Sequence, residues 1–198
     1  MGRPKLLLPW GKSSIIGHII NQWRQLGASQ ITIVHSDEDL LLKSELQKLG
    51  FSATQQIINP NPEQGMFSSV QCAARWDHWK DDLTHWAIAL GDQPQIARET
   101  LQRTAAFALA HPLQISMPRQ AGHRRHPVFL PANLFQQLAH SQAPDLKHFL
   151  DNHANDTAFC EVDDPSLEMD LDYPSDYQKA VRLYGPNSQV GSKHQDGV

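Results

Sequence analysis

Cysteine is nearly absent: Cys72 and Cys160 are the two thiols in 198 residues. They lack CxxC spacing, which excludes a disulfide framework and leaves two reduced, structural thiols as the expectation. Clustered positive charge is missing too. The 17 Lys and Arg stand against 21 Asp and Glu, a net charge of -4, so the surface is not built to neutralise phosphates along a duplex and no nucleic-acid partner is expected. No stretch approaches the roughly 18 apolar residues of a spanning helix. The opening MGRPKLLLPWGK is too short in apolar residues for a signal peptide. No membrane partner is expected, and a soluble, cytoplasmic protein is. Repeats, low-complexity segments and linkers are also lacking. What remains is ordinary globular composition, 40% hydrophobic, at a length that suits one domain with its own core.

The apolar periodicity organises that domain. Ile15, Ile16, Ile19, Ile20, Trp23 and Leu26 recur at helical spacing between a Ser13 or Ser14 cap and Gly27. Ile31-Thr32-Ile33-Val34 reads as a parallel strand buried on both faces. A helix from near Asp37 to Gly50 comes next, then a strand at Gln56-Ile58 and a turn at Asn59-Pro60-Asn61-Pro62. A helix is expected over about Phe67–Trp79, a strand over Trp86–Leu90 and a helix over about Ala97–Ala110. Further strands are expected at Gln114–Met117, Val128–Leu130 and Ala158–Val162, with helices near Asn133–His140 and Ser175–Tyr184. Alternating strands and helices predict βαβ units and a mainly parallel sheet in a three-layer α/β domain. The polar end from Gly185 to Val198 reads as a disordered tail.

Several segments could carry chemistry. Leu90-Gly91-Asp92-Gln93-Pro94 directly succeeds an expected buried strand, where ligands collect in open α/β sheets. Asp92 there could hold Mg²⁺; alternatively it only opens a turn before Pro94. In Met169-Asp170-Leu171-Asp172, extended backbone puts Asp170 and Asp172 on one side, where two carboxylates repel unless a cation or donor lies between them. Asp172 or Ser175 could instead cap the last helix, with Pro174 in its first turn. Lys5, next to Gly2 and Arg3, could meet a triphosphate or simply be a solvated lysine. Gln64-Gly65-Met66-Phe67-Ser68-Ser69 is a glycine-to-helix transition whose free N–H groups suit an anion or a ribose, or are capped by Ser68. Gly122-His123-Arg124-Arg125-His126-Pro127 has a His-x-x-His spacing without a third ligand, so an anion contact is the better reading than zinc.

In this order the segments resemble the MobA-like nucleotidyltransferases, and most closely their molybdenum cofactor cytidylyltransferase branch. The matching stretches are Met1 to Gly11, Asn59-Pro60 with Gly65-Met66 and Ser68-Ser69, Gly91 to Pro94, Gly122 to Val128, and Asp170 to Tyr177. The resemblance covers about residues 1 to 180, and the domain is expected over 1–184. It implies a Rossmann-like α/β/α fold with a mostly parallel sheet. It also implies transfer of a nucleoside monophosphate, CMP from CTP, to a phosphorylated molybdopterin acceptor with Mg²⁺ and release of pyrophosphate. A molybdoenzyme is an implied partner. By this resemblance Lys5 contacts the triphosphate and Asp92 holds the metal. Asp170 and Asp172 join the metal, Gly65 and Ser69 lie near the nucleotide, and Arg124 and His126 lie toward the acceptor.

Three departures stand beside the match. The family pattern opens with a strand and a Gly-rich loop, roughly Leu-Ala-Ala-Gly-x-Ser-x-Arg, ahead of the Met-Gly that is residue 1 and 2 here. The expectation is therefore a domain that begins one strand late, with apolar edges left uncovered. Arg125 stands at a usual glycine, and Tyr173 at a usual threonine. Other readings are a catalytically impaired nucleotide- or partner-binding relative, and a transferase acting on another acceptor such as a sugar phosphate.

Overall fold

A computed structural model describes residues 4–186. Met1, Gly2 and Arg3, and the expected tail from residue 187 onward, lie outside them. The chain opens with a single 3-10 turn, Lys5–Leu7, and a small hairpin of β1 (Pro9–Trp10) and β2 (Ser13–Ser14). Helix α1 (Ile15–Gln25) starts where Ser14 Oγ accepts the Gly17 N–H, an ordinary N-cap. Strand β3 (Ile33–Ser36), helix α2 (Leu40–Lys48) and strand β4 (Gln56–Asn59) form a βαβ unit, in which β3 and β4 pair in parallel.

Helix α3 (Met66–Arg75), strand β5 (His85–Ile88) and helix α4 (Arg98–Ala110) come after it. Next are β6 (Ile115–Gln120), β7 (His123–Arg124) and β8 (Val128–Pro131). The chain continues through α5 (Ala132–Leu138), α6 (Leu146–Asn152), β9 (Thr157–Glu161) and α7 (Pro174–Tyr184). The main sheet has the order β5-β8-β6-β7, with β9 on β6. Strand β8 is antiparallel to both β5 and β6, while β9 runs parallel to β6. Strands β5, β6 and β9 thus point one way, and β7 and β8 the other. The reversal needs no crossover helix, because the turn at Ala121-Gly122, both at positive φ, folds β6 straight onto β7.

Alternation along β8 builds the layers. Val128 and Leu130 enter a core with Phe135, Leu138, Phe149 and Leu150, so α3, α5 and α6 cover one face. Phe129 points the other way and meets Trp23 of α1; α4 packs on that sheet beside β6 and β9. The three-layer α/β fold is as expected, with corrections in detail. The strands lie in three separate sheets, and β3 and β5 are not hydrogen-bonded to each other among the described residues. Residues 31–34 are only half-buried, and the buried member of β3 is His35. Helix α3 ends at Arg75, four residues before Trp79. The last helix is capped at Tyr173, whose N–H donates to Asp176, and neither Asp172 nor Ser175 caps it. Helix α6, absent from the sequence reading, is announced by its Asp145 cap and by Leu146, Phe149 and Leu150 on one face.

One buried carboxylate ties the end of this fold together. Asp164 accepts from Thr100 Oγ1 at 2.6 Å, Ser166 Oγ at 2.5 Å and Ser166 N at 3.0 Å, while its own N–H donates to Gln120. It also takes the Ala97 N–H at 3.4 Å, serving from a distance the start of α4 that Ala97 cannot cap. Replacing Asp164 with Ala leaves these donors without partners and should lower unfolding stability by roughly 2–4 kcal/mol. Urea denaturation of the variant beside the parent chain measures it, and a loss below about 0.5 kcal/mol would refute the anchoring role.

Candidate active site

Lys5 is held in place by the two leucines after it in the chain. Leu6 and Leu7 pack with Ile16, Ile20, Leu42 and Leu46, and this anchors the 3-10 turn beside the loop after β5. A Cβ on Gly91 would meet Leu6 at 3.4 Å, an ordinary contact, so Leu6 and this loop lie side by side. From there the Lys5 Nζ donates to Asp92 Oδ2 at 3.1 Å and to Asp172 Oδ1 at 3.0 Å. Asp172 is placed by its neighbour: Leu171 is 1% exposed, in a cluster with Trp10 and Ile15, so the residues flanking it face outward. Burial alone would pull the Lys5 ammonium's pKa down. The hydrogen bonds and charges of Asp172 and Asp92 outweigh it, and the pKa lies above the ordinary lysine value.

The two acidic segments are also joined from below. Gln95, buried just past Pro94, donates to the Met169 carbonyl at 2.6 Å and the Ser166 carbonyl at 3.3 Å. It therefore sets the distance between the Asp92 loop and the strand-like run ending in Asp172. Sequence reasoning passed over Gln95 and Asp164. Gln95 offered a faint signal, a glutamine between Pro94 and Ile96 past the end of a predicted strand, whereas Asp164 offered none.

A second group gathers at the end of β4. Asn59, 2% exposed, donates through Nδ2 to Ser68 Oγ at 2.8 Å and Ser69 Oγ at 2.9 Å. Ser68 in turn donates to the Gly65 carbonyl at 2.8 Å. Gly65 sits at φ +83 and begins α3 with no side-chain cap. Gly65 and Ser69 are thus brought together, through Asn59. Arg124 lies in β7 and pairs with Asp151 at 2.7 Å, outside the Lys5 contacts.

Two histidines are half-buried near the loop after β5. His126 Nδ1 donates to the Ile88 carbonyl at 3.2 Å, and His18 of α1 lies beside Trp10, close to the Pro94 backbone. Burial holds both below the usual histidine pKa, offset in part by those carbonyls and, for His126, by the Asp92 charge.

The residues suit a divalent cation. Two carboxylates from different segments converge on one cationic atom, and Mg²⁺ typically takes one or two carboxylates plus substrate phosphates. With one ammonium against two carboxylates the cluster is net negative, so a polyphosphate would be repelled without further positive charge. Asp92 and Asp172 are the pair in place. Asp170 makes no ion pair with Lys5, and no group of three metal-ligating side chains occurs among the described residues.

A three-layer α/β domain whose ammonium and carboxylates collect past a strand's carboxyl end has the architecture of a nucleotidyltransferase. Residues 1–157 match the family model described as the MobA-like NTP transferase domain, and the chain belongs to that family. No curated protein matches the sequence. Among solved structures, Rv0371c of Mycobacterium tuberculosis H37Rv is 24% identical, with a TM-score of 0.72 over 91% of this chain and 89% of that one. Its structure in complex with manganese gives 23% identity and a TM-score of 0.65, over 90% of this chain and 92% of that one. Molybdopterin-guanine dinucleotide biosynthesis protein A of Archaeoglobus fulgidus is 14% identical, with a TM-score of 0.61 over 90% of this chain and 89% of that one. These likenesses establish the fold. No helix among the described residues is long and apolar enough to cross a membrane.

The histidines predict a pH dependence. Their folded pKa values lie below the ordinary 6.5, so the unfolded chain takes up protons first as pH falls. Stability should be full above about pH 6.5 and decline progressively below it. NMR titration of the imidazoles should place both midpoints under the free-histidine value. A midpoint at or above that value for His126 would overturn the dominance of burial over the Ile88 carbonyl and the Asp92 charge.

Proposed function

We propose that this nucleotidyltransferase moves CMP from CTP to a phosphorylated acceptor of the molybdopterin type, releasing pyrophosphate, with Mg²⁺ as the working cation. The observation that carries the reading is Lys5 held between Asp92 and Asp172. Such a transfer demands little covalent chemistry from the protein and depends on in-line positioning and charge neutralisation. Lys5 offers an ammonium to phosphate oxygens, and the two carboxylates would hold the metal. When bound, the metal neutralises phosphate charge between nucleotide and acceptor. Gly65 and Ser69, positioned by Asn59, would lie against the nucleotide. His126 keeps a neutral imidazole toward the acceptor side, and Arg124 reaches an acceptor phosphate by exchanging Asp151 for it.

The choice of cytidine and of molybdopterin rests on the order of the sequence motifs, and the fold of the guanine dinucleotide protein is consistent with that acceptor. The choice of a divalent metal is supported by the net negative charge at Lys5 and by the manganese complex of the mycobacterial protein. A molybdoenzyme is the partner that would receive such a product.

Pyrophosphate release should be measured with CTP, GTP and ATP, against molybdopterin and sugar-phosphate acceptors, with Mg²⁺ added or chelated. Release should be fastest with CTP and molybdopterin and should vanish on chelation. Asp92→Ala should lower kcat by at least about 10²-fold, while thermal unfolding shows the variant still folded. Fast release with a sugar phosphate would reassign the acceptor. CTP binding without release would identify a catalytically impaired relative, and undiminished turnover in Asp92→Ala would sink the metal assignment.

A further inference from the structure

The segment between β7 and β8 crosses the carboxyl-terminal end of the main sheet. The Arg125 N–H donates to the Pro118 carbonyl of β6 at 3.0 Å, and His126 Nδ1 donates to the carbonyl of Ile88, the last residue of β5. After Pro127 the chain enters β8, where Val128 pairs with Ile88. Residues 125–127 thus span from β6 to β5, over the strand ends where ligands collect in open α/β sheets. The Asp92 loop leaves the same end of β5, and His126 feels the Asp92 charge.

The arginines of this region differ in their partners. Arg119, Arg124 and Arg125 are each half-buried. Arg119 donates to Glu161 Oε1 at 2.6 Å and lies over the Phe159 ring, and Arg124 pairs with Asp151 at 2.7 Å. Arg125 makes no ion pair among the described residues, and its Nε–H is buried without an acceptor. Asp92 and Asp172 pair with Lys5 instead. Buried donors are normally satisfied, and an arginine cannot shed its proton to escape the cost. An oxyanion is the partner such a group takes, because the planar guanidinium presents its donors in a fork that fits phosphate. No hydrogen bond to the described residues holds the Arg125 guanidinium, so turning toward a ligand breaks none. Arg124 must first give up Asp151.

The place of Arg125 in the fold selects which phosphate. Strand β5 is the outer strand of the main sheet, with β8 and then β6 on one side of it. On its other side residues 31–33 face residues 84–87 across a cavity, and Ile33 begins the β3–β4 pair that carries Asn59. Asp92 therefore stands between the serines held by Asn59 and the Arg125 segment. In phosphoryl-type transfer the attacking and leaving oxygens lie roughly in line, on opposite sides of the reacting phosphorus. We propose that Arg125 binds the terminal phosphate monoester of the acceptor, ahead of Arg124, and so selects phosphorylated acceptors. Its charge also offsets the net negative charge of Lys5, Asp92 and Asp172, which would repel an anionic acceptor. Which phosphate it takes rests on the function proposed above; the anion contact at Arg125 does not.

The probe is inorganic phosphate, titrated into the full chain without metal or nucleotide and followed by phosphorus NMR. The same titration is run on Arg125→Gln, Arg125→Lys and Arg124→Gln, with thermal unfolding confirming that each variant is folded. The parent chain should bind phosphate saturably, and Arg125→Gln should weaken binding by at least about tenfold. Arg125→Lys, which keeps the charge and loses the fork, should fall between the two. In the pyrophosphate assay Arg125→Gln should raise KM for the phosphorylated acceptor at least about tenfold, while KM for CTP stays at the parent value. No saturable binding by the parent chain, undiminished binding in Arg125→Gln, or a greater loss in Arg124→Gln would overturn the contact. A rise in KM for CTP in place of the acceptor would overturn the choice of phosphate. If no acceptor supports pyrophosphate release, the function proposed above fails and the phosphate titration still decides Arg125.

Discussion

One ammonium stands between two carboxylates drawn from positions 87 and 167 residues away in the chain, and the geometry of the site depends on that convergence. A pair as open to solvent as this one, with the Lys5 side chain 26% exposed and Asp172 67% exposed, contributes little to stability. Its placement is therefore the work of other contacts. Leu6 and Leu7 dock the turn that carries Lys5, Leu171 fixes the register of Asp172, and Gln95 spans the two acidic segments. Apolar burial and a buried amide provide the energy, and the charges are carried to a common point. That division suits a site that must exchange one set of ionic partners for another when a charged substrate arrives.

Legibility in the sequence depends on the range of the forces involved. Helix α1 was readable because it repeats its apolar residues every three to four positions between Ser14 and Gly27. Lys5, Asp92 and Asp172 were each visible as motif residues, but their meeting was not, since nothing local says that segments so far apart share a corner. The inward role of Asp164 was hidden for the same reason. Its partners Thr100 and Gln120 lie 64 and 44 residues off, and an aspartate in a run such as Val162-Asp163-Asp164-Pro165 looks like a solvated turn. The strand at β8 was readable but its antiparallel direction was not, because the connection from β6 is short and a hairpin leaves no helical periodicity to mark the change of direction.

Expecting strand 31–34 to be buried on both faces was sound as an inference from composition. A β-branched apolar run is what a central strand should be. In the structure the run has its partner on one side only, so its composition fits a neighbourhood more complete than the one around it. The same is true of the Trp86 to Leu90 run. The two runs share an apolar composition, and among the described residues they are not paired with each other.

That separation bears on how the two halves of the site face each other. Asn59, with Gly65 and Ser69, belongs to the β3–β4 side, whereas Asp92 lies past the end of β5 in the larger sheet. No strand pairing joins these two sheets among the described residues; the connection runs through helices, with α1 touching the clusters of both and α3 packing on β3, β4 and α5. Helix packing tolerates a range of separations, while a hydrogen-bonded ladder fixes neighbouring strands about 4.8 Å apart. The distance between the serines at Asn59 and the Lys5–Asp92 pair is therefore set by side-chain packing of α1 and α3. Chemistry that relies on in-line placement loses rate steeply with small displacements, so under the proposed function the packing of α1 and α3 bears on the rate without contacting the reacting atoms.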